Sequence, residues 1–315
     1  MAKSKSKVTS LEHPFDETCF PTHYTPRGFQ LAGDLIPNKG DDSAEEMLWN
    51  FAGKIETDYF LKNQSNFVDH AWIDIQPLLT PNQQKLNWPQ DFMPLLKKMR
   101  AIQVSEAEAK KEYNKLHKEE IKQEKEARKA KYGFATLNGK KEPLGNIMIE
   151  MPGFYISRGS KLMGRWKYRV RPEDIIINWV SSKPAPKAPK GHQWKKVEAN
   201  KNALQIVKYT ENIGNIYDHP KKILFAATSS TKQNADQKKF EKALSLIKDW
   251  DKMEKLIEKG LKSKDLKEQE CALVSWLIKE TSIRVGSSDT EGTEIENGVV
   301  GASTLRVANI ILSQE

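Results

Sequence analysis

Two cysteines in 315 residues, Cys19 and Cys271, are too few for a disulfide framework or a zinc cluster. No run approaches the roughly 18 apolar residues of a membrane span. Met1 to Ser10 has no apolar stretch that would read as a secretory leader. The histidines (His13, His23, His70, His117, His192, His219) are scattered, without an HxxxH or HExxH pair. GxxxxGK[ST], GxGxxG and GxSxG are also absent, so metal hydrolysis, nucleotide-phosphate cradles and serine hydrolysis lack support. The last tyrosine is Tyr217, the last histidine His219 and the last lysine Lys279; beyond Arg284 the only arginine is Arg306. The expectation is a soluble protein of a reducing, intracellular compartment, with no membrane partner, metal or cofactor.

What is present is charge, unevenly placed. The chain carries 51 Lys+Arg against 42 Asp+Glu, a net of +9. Residues 151–250 hold 20 basic and 8 acidic side chains, a net of +12, and the rest nets −3. A basic stretch inside a near-neutral chain suggests a face for a polyanion, although a solvated lysine-rich surface would have the same composition. Within 158–171, Arg158, Lys161, Arg165, Lys167, Arg169 and Arg171 occur with no acid, interleaved with Trp166 and Tyr168. In a strand the odd-numbered cations would share one face, as a row of phosphates requires.

The length suggests about two domains. Ser43 with Glu46 forms a capping-box pattern ahead of Met47, Leu48, Phe51, Ala52, Ile55 and Tyr59, predicting a helix of about four turns. Phe67 to Leu79 is a mixed apolar stretch, and Pro94 opens a helix reaching Arg100 or beyond. Ser105 and Glu108 predict a further helix over 105–131, laced with pairs such as Glu106/Lys110 and Glu124/Arg128. Its apolar positions are few, so it should be solvated almost all round and project from the body. Asn138-Gly139 signals a hairpin, and Ile147–Ile149 and Ile175–Ile177 read as strands. Residues 181–193 form a Pro/Lys loop, and Val197 to Tyr209 a hairpin turning near Ala199–Asn202. Phe240, Ala243, Leu244, Ile247, Trp250, Met253 and Ile257 form a helical stripe that stops at Gly260. A helix over 265–285 should be buried around its CALVSWLI segment. Asp289, Glu291, Glu294 and Glu296, with Gly292 and Gly298 around them, read as a solvated acidic loop rather than a divalent-ion site.

The segment EMPGFYISRGSKLMGRWKYRVRPEDIIINW (150–179) resembles the eukaryotic-type DNA topoisomerase IB core. PKGHQWKKV (189–197), YTENI (209–213), IRVG (283–286) and VGASTLRVANI (300–310) follow in that family's order. Ile156-Ser157 stands where the family has Arg-Gly, its His-Pro is missing, and Ser287-Ser288-Asp289 replaces its usual Asn-Glu-Lys. The resemblance implies an α+β fold: a disordered basic tail (1–11), a DNA-clamping cap (12–229) with a projecting charged helix, and the incomplete, mainly α start of a catalytic domain (230–315). It implies that Arg158 reaches into the minor groove and that Lys167, Arg169, Lys232 and Lys239 contact the backbone. Lys161 and Arg165 belong to the same DNA-binding run, and Arg284 is the first arginine of the catalytic set.

In that family a tyrosine attacks a DNA phosphodiester, two arginines and a histidine stabilise the developing charge, and a lysine protonates the leaving 5′-hydroxyl, without metal or ATP. The sequence supplies only the first arginine. The expectation is a component that binds double-stranded DNA without cleaving it alone, the remaining groups lying on a second polypeptide or lost by truncation of the gene. The alternative is a non-enzymatic DNA-binding clamp derived from a topoisomerase cap. An RNA-binding protein has only the basic aromatic stretch in its favour. The expected compartment is the nucleus, with KSKSK near the start as a weak import signal.

Overall fold

Val8 is only 2% exposed, and its amide donates to the Lys201 carbonyl. The disorder expected over 1–11 does not hold from Val8 onward, because Val8 and Leu11 are apolar plugs in a core. The computed structural model describes residues 8–156, 161–286 and 301–305. Arg158 and the acidic cluster at Asp289, Glu291, Glu294 and Glu296 lie outside the described residues. The chain divides into two compact units, 1–156 with 162–233, and 157–161 with 234–315.

In the first unit, strands and helices alternate irregularly, an α+β arrangement. Strand β1 is Leu11–Glu12, and β2 (Gln30–Leu31) and β3 (Asp34–Leu35) form a small ribbon. Helix α1 (Ala44–Ala52) begins at Ser43, whose hydroxyl accepts from the Glu46 amide. Glu46 reaches back to the amide of Asp42, one residue before the cap. The helix stops at Gly53, short of the four turns predicted, and Tyr59 belongs to a separate α2 (Asp58–Lys62) capped by Thr57. Helix α3 (Gln64–Ile75) takes up most of the stretch that periodicity left unassigned. Helix α4 runs without a break from Met93 to Leu116, with Pro94 in its first turn. Ser105 is thus interior, and its capping-box pattern starts nothing. The break comes at His117, before α5 (Lys118–Tyr132). From Ser105 to Lys131 only His117 and Ile121 fall short of full exposure, as the polar pattern predicted.

The Asn138-Gly139 turn has positive φ at both positions, 50° and 76°, as a two-residue hairpin between right-twisted strands requires. It joins β4 (Phe134–Leu137) to β5 (Lys140–Pro143), with β1 on the other edge of β4. Ile147 and Ile149 are buried but lie in irregular chain, not a strand. A larger sheet follows: β6 (Gly153–Phe154), β7 (Trp166–Lys167), β8 (Ile176–Asn178), β9 (Lys196–Glu198), β10 (Val207–Ile213) and β11 (Tyr217–Ile223). Its order is β6-β7-β10-β8-β9, with β11 also on β10. Instead of forming the predicted hairpin, β9 and β10 flank β8 on opposite sides, β9 in parallel.

One core gathers α1, α3 and the start of α4 around Phe51, Phe67 and Phe92, and takes Phe154 and Trp166 from the sheet. Gly164 (φ 78°) lies so close to the α3 backbone that a Cβ there would sit 2.6 Å from the Phe67 carbonyl oxygen. The other core collects Leu11, Phe15, Leu137, Ile175, Ile177 and Val207.

The second unit, described by itself, contains α6 (Ser230–Ser245) from residue 234 on, α7 (Trp250–Leu261) and α8 (Leu266–Thr281). The helical stripe is present, but Phe240 is 73% and Ile247 66% exposed. Helix α8 is not buried as predicted: Leu273 and Trp276 are 47% and 41% exposed, and Ala272 alone is buried in it. No described layer of this unit covers these side chains. Helices α7 and α8 meet at Gly260, where a Cβ would fall 2.7 Å from that of Ala272, and Lys279 pairs with Glu254 at 2.6 Å.

Burial shapes acid stability. His13 is 6% exposed, with Nε2 3.2 Å from the Asn178 carbonyl oxygen. Burial lowers its pKa from 6.5 to about 4, against the opposing backbone hydrogen bond. A depressed folded-state pKa means stability is intact above pH 6.5 and drains as pH falls toward 4, at about 1.4 kcal/mol per pH unit. NMR titration should place the His13 imidazole near pH 4; a midpoint at or above its ordinary value would contradict this account.

Candidate nucleic-acid interface

The basic run does not form a row of open cations, because its strand lasts only from Trp166 to Lys167. Arg165 is 8% exposed, its Nε and Nη2 donating to the two Asp74 carboxylate oxygens at 2.9 and 2.8 Å. Nη2 also donates to the Gly214 carbonyl at 2.8 Å. The pairing with Asp74, opposed by burial, raises the pKa of Arg165 further. Arg169 is 7% exposed and donates to Glu46 at 2.9 Å and to the carbonyls of Pro21 and Thr22. Between them, the Trp166 indole donates to Asp42 at 2.8 Å, and its amide to Asp74 at 2.6 Å. Arg165 and Arg169, expected to face DNA, are instead inward staples, since they lie outside the two-residue strand and turn toward Asp74 of α3 and Glu46 of α1.

Lys167 occupies a middle position, its side chain 14% exposed. It lies 2.8 Å from Glu150 and 3.4 Å from Glu211. Lys221 of β11 joins the same carboxylates at 3.2 and 3.7 Å. Glu211 is 1% exposed, and its Oε1 makes no hydrogen bond. His219 Nδ1 lies 3.4 Å from Glu211 Oε2, also without a hydrogen bond. The Tyr155 and Tyr217 rings flank His219, with centroids at 6.3 and 6.0 Å. Hydrogen bonding to Lys167, outweighing desolvation, holds Glu150 down at a pKa of about 2. Burial works against the Lys221 ammonium, but Glu211 and Glu150 outweigh it and raise its pKa. Sequence reasoning missed Lys221, Glu150 and Glu211, which are spread over 72 positions: β10–β11 pairing joins Lys221 to Glu211, and Glu150 reaches them from irregular chain.

The opposite face of this sheet carries a second cationic row. Lys222 pairs with Lys208, Lys208 with Ile176, and Ile176 with Lys196, so the three lysines share one side. Their solvent exposure follows from alternation, since Val207, Ile177 and Ile223 fill the core from the other side. Two lysines directly opposite each other repel unless an anion or solvent intervenes.

Of the remaining expected residues, Lys161 is exposed in a turn, and Lys232 and Lys239 are exposed on α6, where Lys239 lies 2.9 Å from Asp236. Arg284 is exposed; its carbonyl accepts from the Ala302 amide at 2.8 Å, tying the IRVG segment to the described part of VGASTLRVANI. Gly286 there has a φ of 94°, open to glycine and strained for other residues. Among the described residues no group of three His, Cys, Asp or Glu side chains could hold a metal. No described helix is long and apolar enough to cross a membrane.

Two family models match in tandem. Residues 6–225 match the one described as eukaryotic DNA topoisomerase I, DNA binding fragment, and 228–315 the one described as eukaryotic DNA topoisomerase I, catalytic core. The chain is 31% identical to DNA topoisomerase 1 of Homo sapiens over 314 residues, covering 97% of this chain and 39% of the relative. It is 30% identical to DNA topoisomerase 1 beta of Arabidopsis thaliana, covering 97% of this chain and 32% of that protein. DNA topoisomerase I, mitochondrial, of Rattus norvegicus is 29% identical, with 99% of this chain and 51% of the relative covered. The chain therefore spans from 32% to 51% of the length of these relatives.

The Arg165–Asp74 pair gives a direct test of the staple. Removing one partner strands the other charge in the core, so Arg165→Met should lower unfolding free energy by about 3–5 kcal/mol. Adding Asp74→Leu to that variant should recover much of the loss, as read by urea denaturation. Equal, additive losses would argue against a coupled pair.

Proposed function

The chain belongs to the eukaryotic DNA topoisomerase I family, and from that premise we propose that it clamps duplex DNA as part of a type IB, ATP-independent relaxation reaction. The observation that carries the reading is the net charge of +12 over residues 151–250, most of which lies within the segment matching the DNA binding fragment. Charge of this kind grips phosphates irrespective of sequence, which suits an enzyme acting almost anywhere on a duplex.

The site residues follow the same reading. Lys161, Lys232 and Lys239 present ammonium groups to the backbone, and Arg158 serves the minor groove. Arg284 is the one member of the catalytic set that these 315 residues supply. The nucleophilic tyrosine, the second arginine, the histidine and the general-acid lysine must come from outside these 315 residues for strand cleavage to occur. The nucleus is the compartment proposed, although one similar protein carries a mitochondrial name. The alternative, a non-enzymatic clamp, shares the same DNA-binding face.

Binding of this chain to a short duplex should weaken steeply with salt, log K falling by about 0.9 per phosphate neutralised. Supercoiled plasmid should stay supercoiled with this chain alone, and relaxation without ATP or magnesium would overturn the assignment of roles. A polypeptide supplying the missing groups should restore relaxation if the chain is a topoisomerase component, and leave it absent if the chain is a clamp alone. Lys232→Ala with Lys239→Ala should reduce the salt slope by about 2 and weaken binding to all sequences alike.

A further inference from the structure

The Lys167, Lys221, Glu150 and Glu211 cluster is more than a surface ion-pair network, because its two carboxylates differ in kind. Glu211 sits on the central strand β10 at 1% exposure and lies beneath both ammonium groups. Glu150 comes from irregular chain, with a side chain 47% exposed. It meets Lys167 through Oε2 at 2.8 Å and Lys221 through Oε1 at 3.2 Å. One carboxylate is built into the sheet; the other pairs with the two lysines from a half-exposed side chain outside it.

We propose that Lys167 and Lys221 form a binding site for one phosphate of the DNA backbone, and that Glu150 occupies the place of that phosphate in the free protein. The proposal rests on the DNA-binding reading above, in which the family resemblance already gives Lys167 a backbone contact, and adds to it Lys221 and a built-in competitor. A carboxylate that offers one oxygen to each of two ammonium groups presents them with what two non-bridging phosphate oxygens would. Exchange of Glu150 for a phosphodiester leaves the local charge unchanged. The lysines are already part-buried and oriented by Glu211, so the phosphate meets a site whose ordering cost has been met in folding. One observation favours this face of the sheet over the Lys208–Lys222 face. The rings of Tyr155, His219 and Tyr217 cluster next to it, an arrangement of aromatic and cationic groups suited to a nucleic acid.

The test measures affinity for a short duplex by fluorescence anisotropy across a salt series. Wild type is compared with Glu150→Gln, Lys221→Met, the combination of both, and Lys208→Met with Lys222→Met, each checked for folding by circular dichroism. Glu150→Gln should tighten binding by roughly two- to fivefold, the size of freeing a half-exposed ion pair. Lys221→Met should weaken binding and reduce the salt slope by about 1. The gain from Glu150→Gln should shrink to near nothing once Lys221 is Met, which separates displacement at this site from a general rise in positive charge. An undiminished gain in the Lys221→Met background would overturn the proposal. So would a larger loss from Lys208→Met with Lys222→Met than from Lys221→Met. A wild-type chain that fails to bind duplex at all would instead overturn the DNA-binding reading itself. As a readout on the unmutated protein, duplex should shield Lys221 from reductive methylation more than it shields Lys208; the reverse order counts against the site.

Discussion

Asp74 accepts from the Arg165 guanidinium through both oxygens, and from the Trp166 amide as well. That carboxylate, with Asp42 and Glu46 beside it, joins the helical layer to the large sheet. It draws a segment of the basic run inward, so that Trp166 comes to rest at 0% exposure among Phe51, Phe67 and Phe154. The Arg165 guanidinium also anchors the β10–β11 turn by donating to Gly214, whose φ of 59° lets the backbone pass close by. Buried charge of this kind adds little net stability over an apolar equivalent, yet breaking one half is expensive. Its effect is to specify one arrangement of α1, α3 and β7.

That constraint decides which cations remain for a ligand. Arg165 and Arg169 are spent on folding, while Lys167, one strand residue along, stays at the rim of the sheet. Strand pairing then brings Lys221 beside it and places Glu211 beneath both. The sheet thus offers two cationic faces of different character: a line of exposed lysines on one, and on the other a preorganised pair covered by a displaceable carboxylate. The DNA binding proposed above calls for both long-range attraction and a few fixed phosphate sites, and the two faces would serve these separately.

Local signals were legible where the physics is local. The Asn138-Gly139 hairpin, the Ser43 cap and the solvated helices flanking His117 follow from backbone conformation and from side chains a few residues apart. Signals failed where a distant partner outweighs them. Ser105 carries a capping pattern, but the packing of Leu95, Leu96 and Met99 starts the helix 12 residues earlier, at Met93. Val197 to Tyr209 has the spacing of a hairpin, but β8 offers each of its strands a free edge. The stripe of α6 and α7 was periodic as read, and its exposure reflects how few described elements lie in its unit.

The sequence by itself determined the chemistry available. It held a strong positive balance in one hundred residues, a run of ordered family motifs with Arg284 in one of them, and no tyrosine beyond Tyr217. It could not say which cations are open, because Arg165, Lys167 and Arg169 look alike in one dimension. Only the tertiary structure decided that, by setting Asp74, Asp42 and Glu46 against some of them and leaving others at the rim. The reason is physical: a buried guanidinium requires carboxylates contributed from about 90 or more positions away, and no local pattern records where those will be.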